Sequence, residues 1–367
     1  MDIKRVAVLG AGNGGITAAA DLTLRGFEVA LFELPQFSRN IDLLNEKGGR
    51  VTLKEPDGGL AEATISLLTT DIKKALADAQ LVLVTIPSIW TEEFAKVSAP
   101  HIKAEQFIVF HTAACMCSVR FVNTARQIGV MTDFMIGEFA TLAYGTRAFP
   151  EIGKVELSLR VKEFNFSAYP ANRTQSMIPA VRQIYDGVIP IENVWGTALS
   201  NGNPECHTGP CLLNAGRIEF SNGEFWLYVE GITEHTVNVL LKVGEERMAL
   251  GRAFGYQLDD GTTARIKRGY LEPGQEPLHL KYNHSPVFSK IKGPMSLESR
   301  YFTEDISNGL VLFSSLGKTL GVPTPTTNAL VTLGSVLLKR NFMAEGVTLE
   351  KLGFEGMDRD QLIAAVS

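Results

Sequence analysis

Apolar positions along this chain fall into two textures. Up to Pro190 they come as short, mostly apolar runs at Val6–Leu9, Phe27–Phe32, Gln80–Ile86, Phe107–Phe110 and Phe134–Ile136, with two strand-like runs broken by polar residues at Val155–Val161 and Phe164–Ala168. Runs of that length, rich in β-branched and aromatic residues, predict strands buried on both faces. Between them lie stretches with helical spacing at Ile16–Leu24, Phe37–Lys47, Ser118–Ile128 and Arg173–Tyr185, and a short one to Ala79 that Asp71 is placed to N-cap. Arg50–Leu68 reads as a hairpin, with Glu55–Gly59 (EPDGG) as its turn. Such alternation predicts a parallel sheet with helices on both faces. From Ile191 onward the spacing turns helical, over Thr197–Asn214, Thr233–Phe254, Thr262–Arg268, Ile306–Leu320 and Thr326–Arg340. The last of these is introduced by the breaker Val322–Pro325 (VPTP), and no β-rich stretch of comparable length returns.

The first strand–helix junction carries a chemical message. Val6–Gly15 reads VAVLGAGNGG, so Gly10, Gly12 and Gly15 give G-x-G-x-x-G between an apolar run and an Ala-rich helix. That order is what a dinucleotide-binding turn requires. Gly10 permits the tight turn, Gly12 lets the backbone approach a pyrophosphate, and Gly15 lets the helix pack near the strand. The helix N-terminus, with Asn13 and Gly14 in its first turn, presents unpaired N–H groups to the phosphates. Glu33, at the end of the next strand and about 20 residues on, is placed to accept the ribose 2′-OH. A carboxylate there favours NAD over NADP, although Arg39 lies nearby in sequence. The fold class is therefore α/β, with a Rossmann-type doubly wound sheet over residues 1–189 and an all-helical domain over residues 190–367. In such a sheet the ligand lies beyond the carboxyl ends of the strands, so Thr85, Ile86 and Pro87, and then His111, Thr112 and Ala113, edge the cofactor groove. His111 is a base candidate there, with a strand-end structural role as the preferred reading.

Composition narrows the classes. At 367 residues two domains are expected. Hydrophobic residues at 45% and charged residues at 20% suit a globular protein with a sizeable core, and no apolar run reaches the length of a membrane span. A net charge of −5 argues against nucleic acid as a partner and leaves room for a local basic pocket. The chain enters its first strand without a secretory pattern, which points to the cytoplasm. Its four cysteines, Cys115, Cys117, Cys206 and Cys211, form no disulfide framework, and their spacing with His207 matches none of the usual zinc patterns. No metal is expected.

A hydride-transfer enzyme also needs a proton donor and a cation for a substrate carboxylate. Of six histidines, His207 stands out in Asn201–Asn214 (NGNPECHTGPCLLN), an irregular polar patch within an apolar helical region. Ser299–Asp305 (SRYFTED) offers Arg300, whose planar fork binds carboxylates, and Asp305, which could orient an imidazole. The plainer reading makes Ser299–Asp305 a solvated helix start capped by Thr303 or Asp305. Phe220, Phe225, Trp226 and Tyr228 could line an apolar amine pocket, with core or interface roles preferred.

GAGNGG, the N-P-x-x-H segment running into LLNAGRIE, then YVEGIT, GPMSLESRYFTEDI, GLV, VPTP and EKLG resemble the opine dehydrogenase family, the octopine and nopaline dehydrogenase group, and most of all its bacterial N-(1-carboxyethyl)norvaline dehydrogenase type. The resemblance spans nearly the whole chain in order. It implies an N-terminal Rossmann domain, a helical C-terminal domain and an active site in the cleft between them. It places the catalytic histidine on His207, its orienting aspartate on Asp305 and the arginine for the keto-acid carboxylate on Arg300, with Asn203 helping to position the substrate. The implied reaction is NAD(H)-dependent reductive condensation of an α-keto acid with the amino group of an amino acid or amine, in a protein that could form a homodimer. Glu205, Cys206 and Thr208 depart from the family's pattern beside His207 and bear on which substrate is used. Two alternatives stand beside this reading. One is a keto-acid, sugar-phosphate or glycerol-phosphate dehydrogenase on the same plan, using a helical-domain lysine for which Lys242 is nearest. The other is a non-catalytic NAD-binding sensor.

Overall fold

The computed structural model describes residues 2–112 and 115–367, so Ala113 lies outside the described residues. The chain divides into two compact units, one running to Val194 and the other spanning Trp195–Ser367.

Among the described residues the first unit is built on twelve strands: β1 (Arg5–Leu9), β2 (Glu28–Phe32), β3 (Arg50–Lys54), β4 (Leu60–Thr64), β5 (Leu67–Thr69), β6 (Leu81–Val84), β7 (Phe107–Phe110), β8 (Met135–Phe139), β9 (Tyr144–Phe149), β10 (Lys154–Arg160), β11 (Phe164–Tyr169) and β12 (Val188–Pro190). Eight of them form one sheet in the order β12-β11-β8-β7-β6-β1-β2-β5. Every pair in it is parallel except β8 with β11. Its central strands are the unbroken apolar runs of the sequence. Residues Val6–Leu9, Leu81–Val84 and Ile108–Phe110 are almost wholly buried, as strands covered on both faces must be.

Among the described residues six α-helices belong to this unit: α1 (Asn13–Leu24), α2 (Arg39–Asn45), α3 (Ile72–Leu76), α4 (Thr91–Ser98), α5 (Cys117–Gln127) and α6 (Thr174–Ile184). Asp71 caps α3 as expected, its side chain accepting from the Lys73 and Lys74 N–H groups. Phe121 on α5 meets Phe110 of β7 and Phe134 edge-to-face, with ring centroids 5.9 and 5.5 Å apart, which ties helix to sheet.

A second sheet, of order β4-β3-β10-β9, departs from the sequence expectation of a single layered sheet. β3 and β4 make the expected hairpin, closed by the Glu55–Gly59 turn in which Gly58 takes a φ of +95°. The hairpin ends at Thr64, and β5 leaves it to pair with β2 in the large sheet. β9 was not anticipated. It carries Gly145, Thr146 and Arg147 in a row between Tyr144 and Ala148, and pairs with β10 across a bulge between Leu157 and Leu159. α1 packs on β1 and β2 and also against β4 and β9.

The second unit is helical: α7 (Val194–Leu199), α8 (Asn203–Leu213), α9 (Ala215–Ser221), α10 (Thr236–Phe254), α11 (Gly261–Arg268), α12 (Leu278–His284), α13 (Arg300–Glu304), α14 (Val311–Leu320), α15 (Pro325–Leu338), α16 (Phe342–Glu345) and α17 (Arg359–Ala364), with π-helical turns at Leu227–Gly231 and Asp305–Leu310. The single helix expected over Thr197–Asn214 is two, parted at Ser200–Gly202. There Asn201 Oδ1 accepts the Asn203 N–H at 3.0 Å, and Pro204 has no N–H to continue an upstream helix. α10 is the spine, packing on α8, α14 and α15. No helix among the described residues is long and apolar enough to cross a membrane.

Candidate active site

In the first unit the residues singled out from sequence gather beyond one edge of the large sheet. β1, β6 and β7 are parallel neighbours ending at Leu9, Val84 and Phe110, so Gly10, Pro87 and Thr112 follow the same strand ends, and Glu33 follows β2. Gly10 has a φ of +104°, which a side chain would strain. A Cβ on Gly15 would run into the Gly10 carbonyl oxygen. Nothing lies within 4 Å of where a Cβ on Gly12 would stand, so this face of the turn is open to a ligand. Gly12 is also the N-cap of α1 and provides no side-chain acceptor for the first-turn N–H groups. An open glycine turn under an uncapped helix N-terminus fits a pyrophosphate.

Around that cradle each neighbour has a definite task. Glu33 accepts the Ala11 N–H on Oε2 at 2.7 Å and the Leu34 N–H on Oε1 at 2.9 Å, bracing the turn it borders. Partial burial raises its carboxyl above the ordinary value, against the lowering effect of those two N–H groups. Asn13 turns its side-chain oxygen to the Ala148 N–H of β9 at 2.8 Å, while its carbonyl accepts the Thr17 hydroxyl at 2.7 Å. Gly14 faces Leu142, whose Cδ1 would stand 3.0 Å from an added Cβ. Pro87 is exposed and Thr112 buried. His111 is not a base. Burial pushes its imidazole down to about 3, Nε2 accepts the Ala143 N–H at 2.7 Å, and Tyr185 closes Nδ1 at 3.1 Å.

In the second unit α8 and the Asp305–Leu310 turn lie against each other, and they bring two distant residues together. His207 Nδ1 stands 2.6 Å from Asp305 Oδ2, with both side chains buried. α13 starts at Ser299, whose Oγ accepts the Tyr301 N–H, so the cap is neither Thr303 nor Asp305. The helix then widens into the π turn, and such turns recur where a side chain must be re-aimed. Gly309 makes the approach feasible, because a Cβ there would collide with the Pro204 ring on α8.

Charge sets the state of the pair. Burial alone would pull the His207 imidazole down. The neighbouring Cys206 and Asp305 outweigh it, and the imidazole rests well above its ordinary value of 6.5. Beside it stands Tyr301, with ring centroids 4.5 Å apart, and the Arg300 guanidinium lies 5.3 Å from the Tyr301 ring centroid. Arg300 is half exposed, with Glu304 Oε2 at 3.9 Å. Asn203 sits one turn before His207 on α8, half-buried and on the same helix face.

The structure revises several smaller expectations. Glu205 is not a substrate-facing residue. It is buried between Arg247 Nε at 3.0 Å and Arg265 Nη1 at 2.7 Å, and those arginines reach on to the Leu199 and Gly202 carbonyls. Thr208 and Cys206 are likewise buried. Phe225 is core, Phe220 is exposed, and Trp226 carries Lys292 over its ring. Tyr228 is the residue whose role sequence reasoning missed: its hydroxyl lies 2.8 Å from His207 Nε2. Lys242 is exposed on α10 and paired with Glu245 at 2.8 Å. Among the described residues no three His, Cys, Asp or Glu side chains are grouped to hold a metal ion.

Comparison with known proteins adds identity to this geometry. Residues 190–338 match the NAD/NADP octopine/nopaline dehydrogenase α-helical domain, and residues 5–114 match the NAD-dependent glycerol-3-phosphate dehydrogenase N-terminus. An opine dehydrogenase of Arthrobacter sp. (strain 1C) is 33% identical over 369 residues, which take in 100% of this chain and 99% of that relative. The ocs protein of Agrobacterium tumefaciens (strain Ach5) is 22% identical over 372 residues, with 100% and 99% covered. An octopine dehydrogenase solved with NADH and agmatine shares the fold, at a TM-score of 0.77 and 17% identity over 99% of this chain and 98% of that one. The chain belongs to the opine dehydrogenase family and is an NAD-dependent oxidoreductase of CH–NH groups, joining a keto acid to an amino acid by reductive condensation.

Proposed function

We propose that His207 and Asp305 are the proton-handling pair of this reaction, that Arg300 holds the keto-acid carboxylate and that Asn203 helps to seat the substrate. The cofactor is held by the turn of Gly10, Gly12, Asn13, Gly14 and Gly15, with Glu33 on the ribose and Pro87 and Thr112 along the groove. When bound, NADH supplies the hydride that reduces the imine carbon. The observation that carries the reading is the buried 2.6 Å contact between His207 Nδ1 and Asp305 Oδ2, across 98 residues of chain.

Each residue's part follows from its chemistry. Arg300 is exposed on one side and presents a two-pronged cation, which suits a carboxylate arriving from solvent. Amine and keto acid combine to a carbinolamine, which must lose water before reduction. Imidazolium at His207, held charged by Asp305, provides the proton that turns the hydroxyl into a leaving water. In the oxidative direction neutral His207 takes that proton back. Asp305 accepts from Nδ1–H throughout, fixing the tautomer so that Nε2 carries the exchange.

Measuring NADH consumption over a matrix of α-keto acids against amino acids and amines tests the proposal. Turnover requiring both partners together is expected, and His207→Ala should lower it by roughly 10²-fold or more. NADH binding without turnover anywhere in the matrix would leave only a sensor.

A further inference from the structure

Both ring nitrogens of His207 are occupied inside the protein. Nδ1 faces Asp305, and Nε2 lies 2.8 Å from the Tyr228 hydroxyl. The one nitrogen free to exchange a proton with a substrate is therefore covered by a phenol. Tyr228 is held there firmly. It belongs to the π-helical turn Leu227–Gly231, whose carbonyls are tied from three sides. Asn283 donates to Tyr228 O at 2.7 Å, while Asn214 and Thr236 donate to Gly231 O at 3.1 and 2.8 Å. The Tyr228 ring stacks on Phe288, with centroids 4.3 Å apart, and lies parallel to Tyr282 at 6.2 Å. Phenylalanine would serve that stacking equally well. Among the described residues the hydroxyl's hydrogen-bond partner is the imidazole.

We propose that Tyr228 is a catalytic residue whose hydroxyl relays the proton between His207 Nε2 and the substrate oxygen. The proposal rests on the reading of His207 as the proton-handling group. In the condensing direction the Nε2 proton passes to the Tyr228 oxygen as the phenol's own proton passes to the carbinolamine hydroxyl. The C–O bond breaks with its electron pair leaving on water, and the nitrogen lone pair closes the C=N bond. His207 ends one proton poorer, one water leaves, and Tyr228 returns to its starting state. The oxidative direction retraces these steps.

The surroundings suit a relay that never rests as phenolate. Burial first, then the neighbouring Tyr301, Cys206 and Tyr282, push the phenol well above its ordinary value, against the opposite pull of Arg265. The phenol thus stays protonated at every working pH, and the proton store is His207. A simple cap on Nε2, which the substrate must displace, predicts the opposite kinetics. Removing such a cap would tighten substrate binding and leave kcat unchanged or raised.

Tyr228→Phe in the full-length protein separates the two. The relay predicts a fall in kcat of roughly tenfold or more in both directions, with KM for both substrates within about twofold. A kcat within about twofold of wild type, or a lowered KM with kcat kept, would overturn it. His207→Asn is measured beside it. If that variant keeps the wild-type rate, the reading of His207 itself fails, whereas a dead His207→Asn with an active Tyr228→Phe removes the relay alone. Should Tyr228→Phe not fold, fluorotyrosine placed at position 228 keeps the ring and acidifies the phenol. A changed kcat is then expected, and a wild-type rate and pH profile would overturn the proposal.

Discussion

His207 sits between a fixed acceptor at Nδ1 and a fixed hydroxyl at Nε2, in a site where burial and charge pull its titration in opposite directions. Burial loses to Cys206 and Asp305, so the imidazole stays protonated above 6.5, its ordinary value. Two consequences follow for pH. The proposed role of His207 requires its base form in the oxidative direction, so kcat/KM should climb through the alkaline range. A flat profile from roughly pH 6 to 10 would show that no imidazole titrates in the rate-limiting exchange. Asp305→Asn removes one of the two groups that raise the imidazole, so the rising limb should move to lower pH while kcat falls by about 10²- to 10⁴-fold. Stability follows the same linkage. The folded-state value lies above the unfolded one, so the contribution of protonated His207 is complete below 6.5 and is lost as pH rises through the folded value. Thermal melts of wild type and Asp305→Asn across that range should converge at high pH.

Elements were legible where a run declared itself. β7 falls on Phe107–Phe110 as the apolar run marked it, and α3 begins after Asp71 because that side chain takes two backbone N–H groups. β9 was hidden, since Tyr144–Phe149 holds a small, a polar and a charged residue in a row with no period of two, and becomes a strand by pairing with β10. The break before α8 was written in Asn201–Pro204 yet masked by the apolar spacing around it. Its anchor could not be read at all. Glu205 looked like a polar irregularity beside His207, and only the fold supplies Arg247 and Arg265, from 42 and 60 residues away. That carboxylate pins the start of α8, and so the height of His207, to α10 and α11. Glu205→Gln leaves two buried guanidinium groups short of their counter-charge, and breaking a buried pair costs about 3–5 kcal/mol. A marked fall in melting temperature is expected by calorimetry. A variant as stable as wild type would show that the arginines find other partners.

At the scale of the whole chain the two halves carry different amounts of information. Residues 5–114 match a glycerol-3-phosphate dehydrogenase N-terminus, so the glycine turn and Glu33 speak for a dinucleotide and are shared across several chemistries. The reaction is specified by the helical half, where residues 190–338 match the octopine/nopaline dehydrogenases. The same division appears in the side chains. A sugar- or glycerol-phosphate chemistry on this plan would use a helical-domain lysine, yet Lys242 faces solvent and is spent on Glu245 three residues along its own helix. His207 instead is enclosed with Asp305, Tyr228 and Tyr301, and the Tyr301 ring carries Arg300, the residue proposed to hold the keto acid. A paired comparison decides between them. Lys242→Ala should turn over keto acid and amine within about twofold of wild type, because an exposed ion pair contributes little. His207→Ala in the same assay should lose roughly 10²-fold or more while still quenching with NADH, since the cofactor turn lies in the other unit. If the lysine variant is the inactive one, the helical half has been assigned the wrong proton carrier, and the site must be sought on the exposed face of α10.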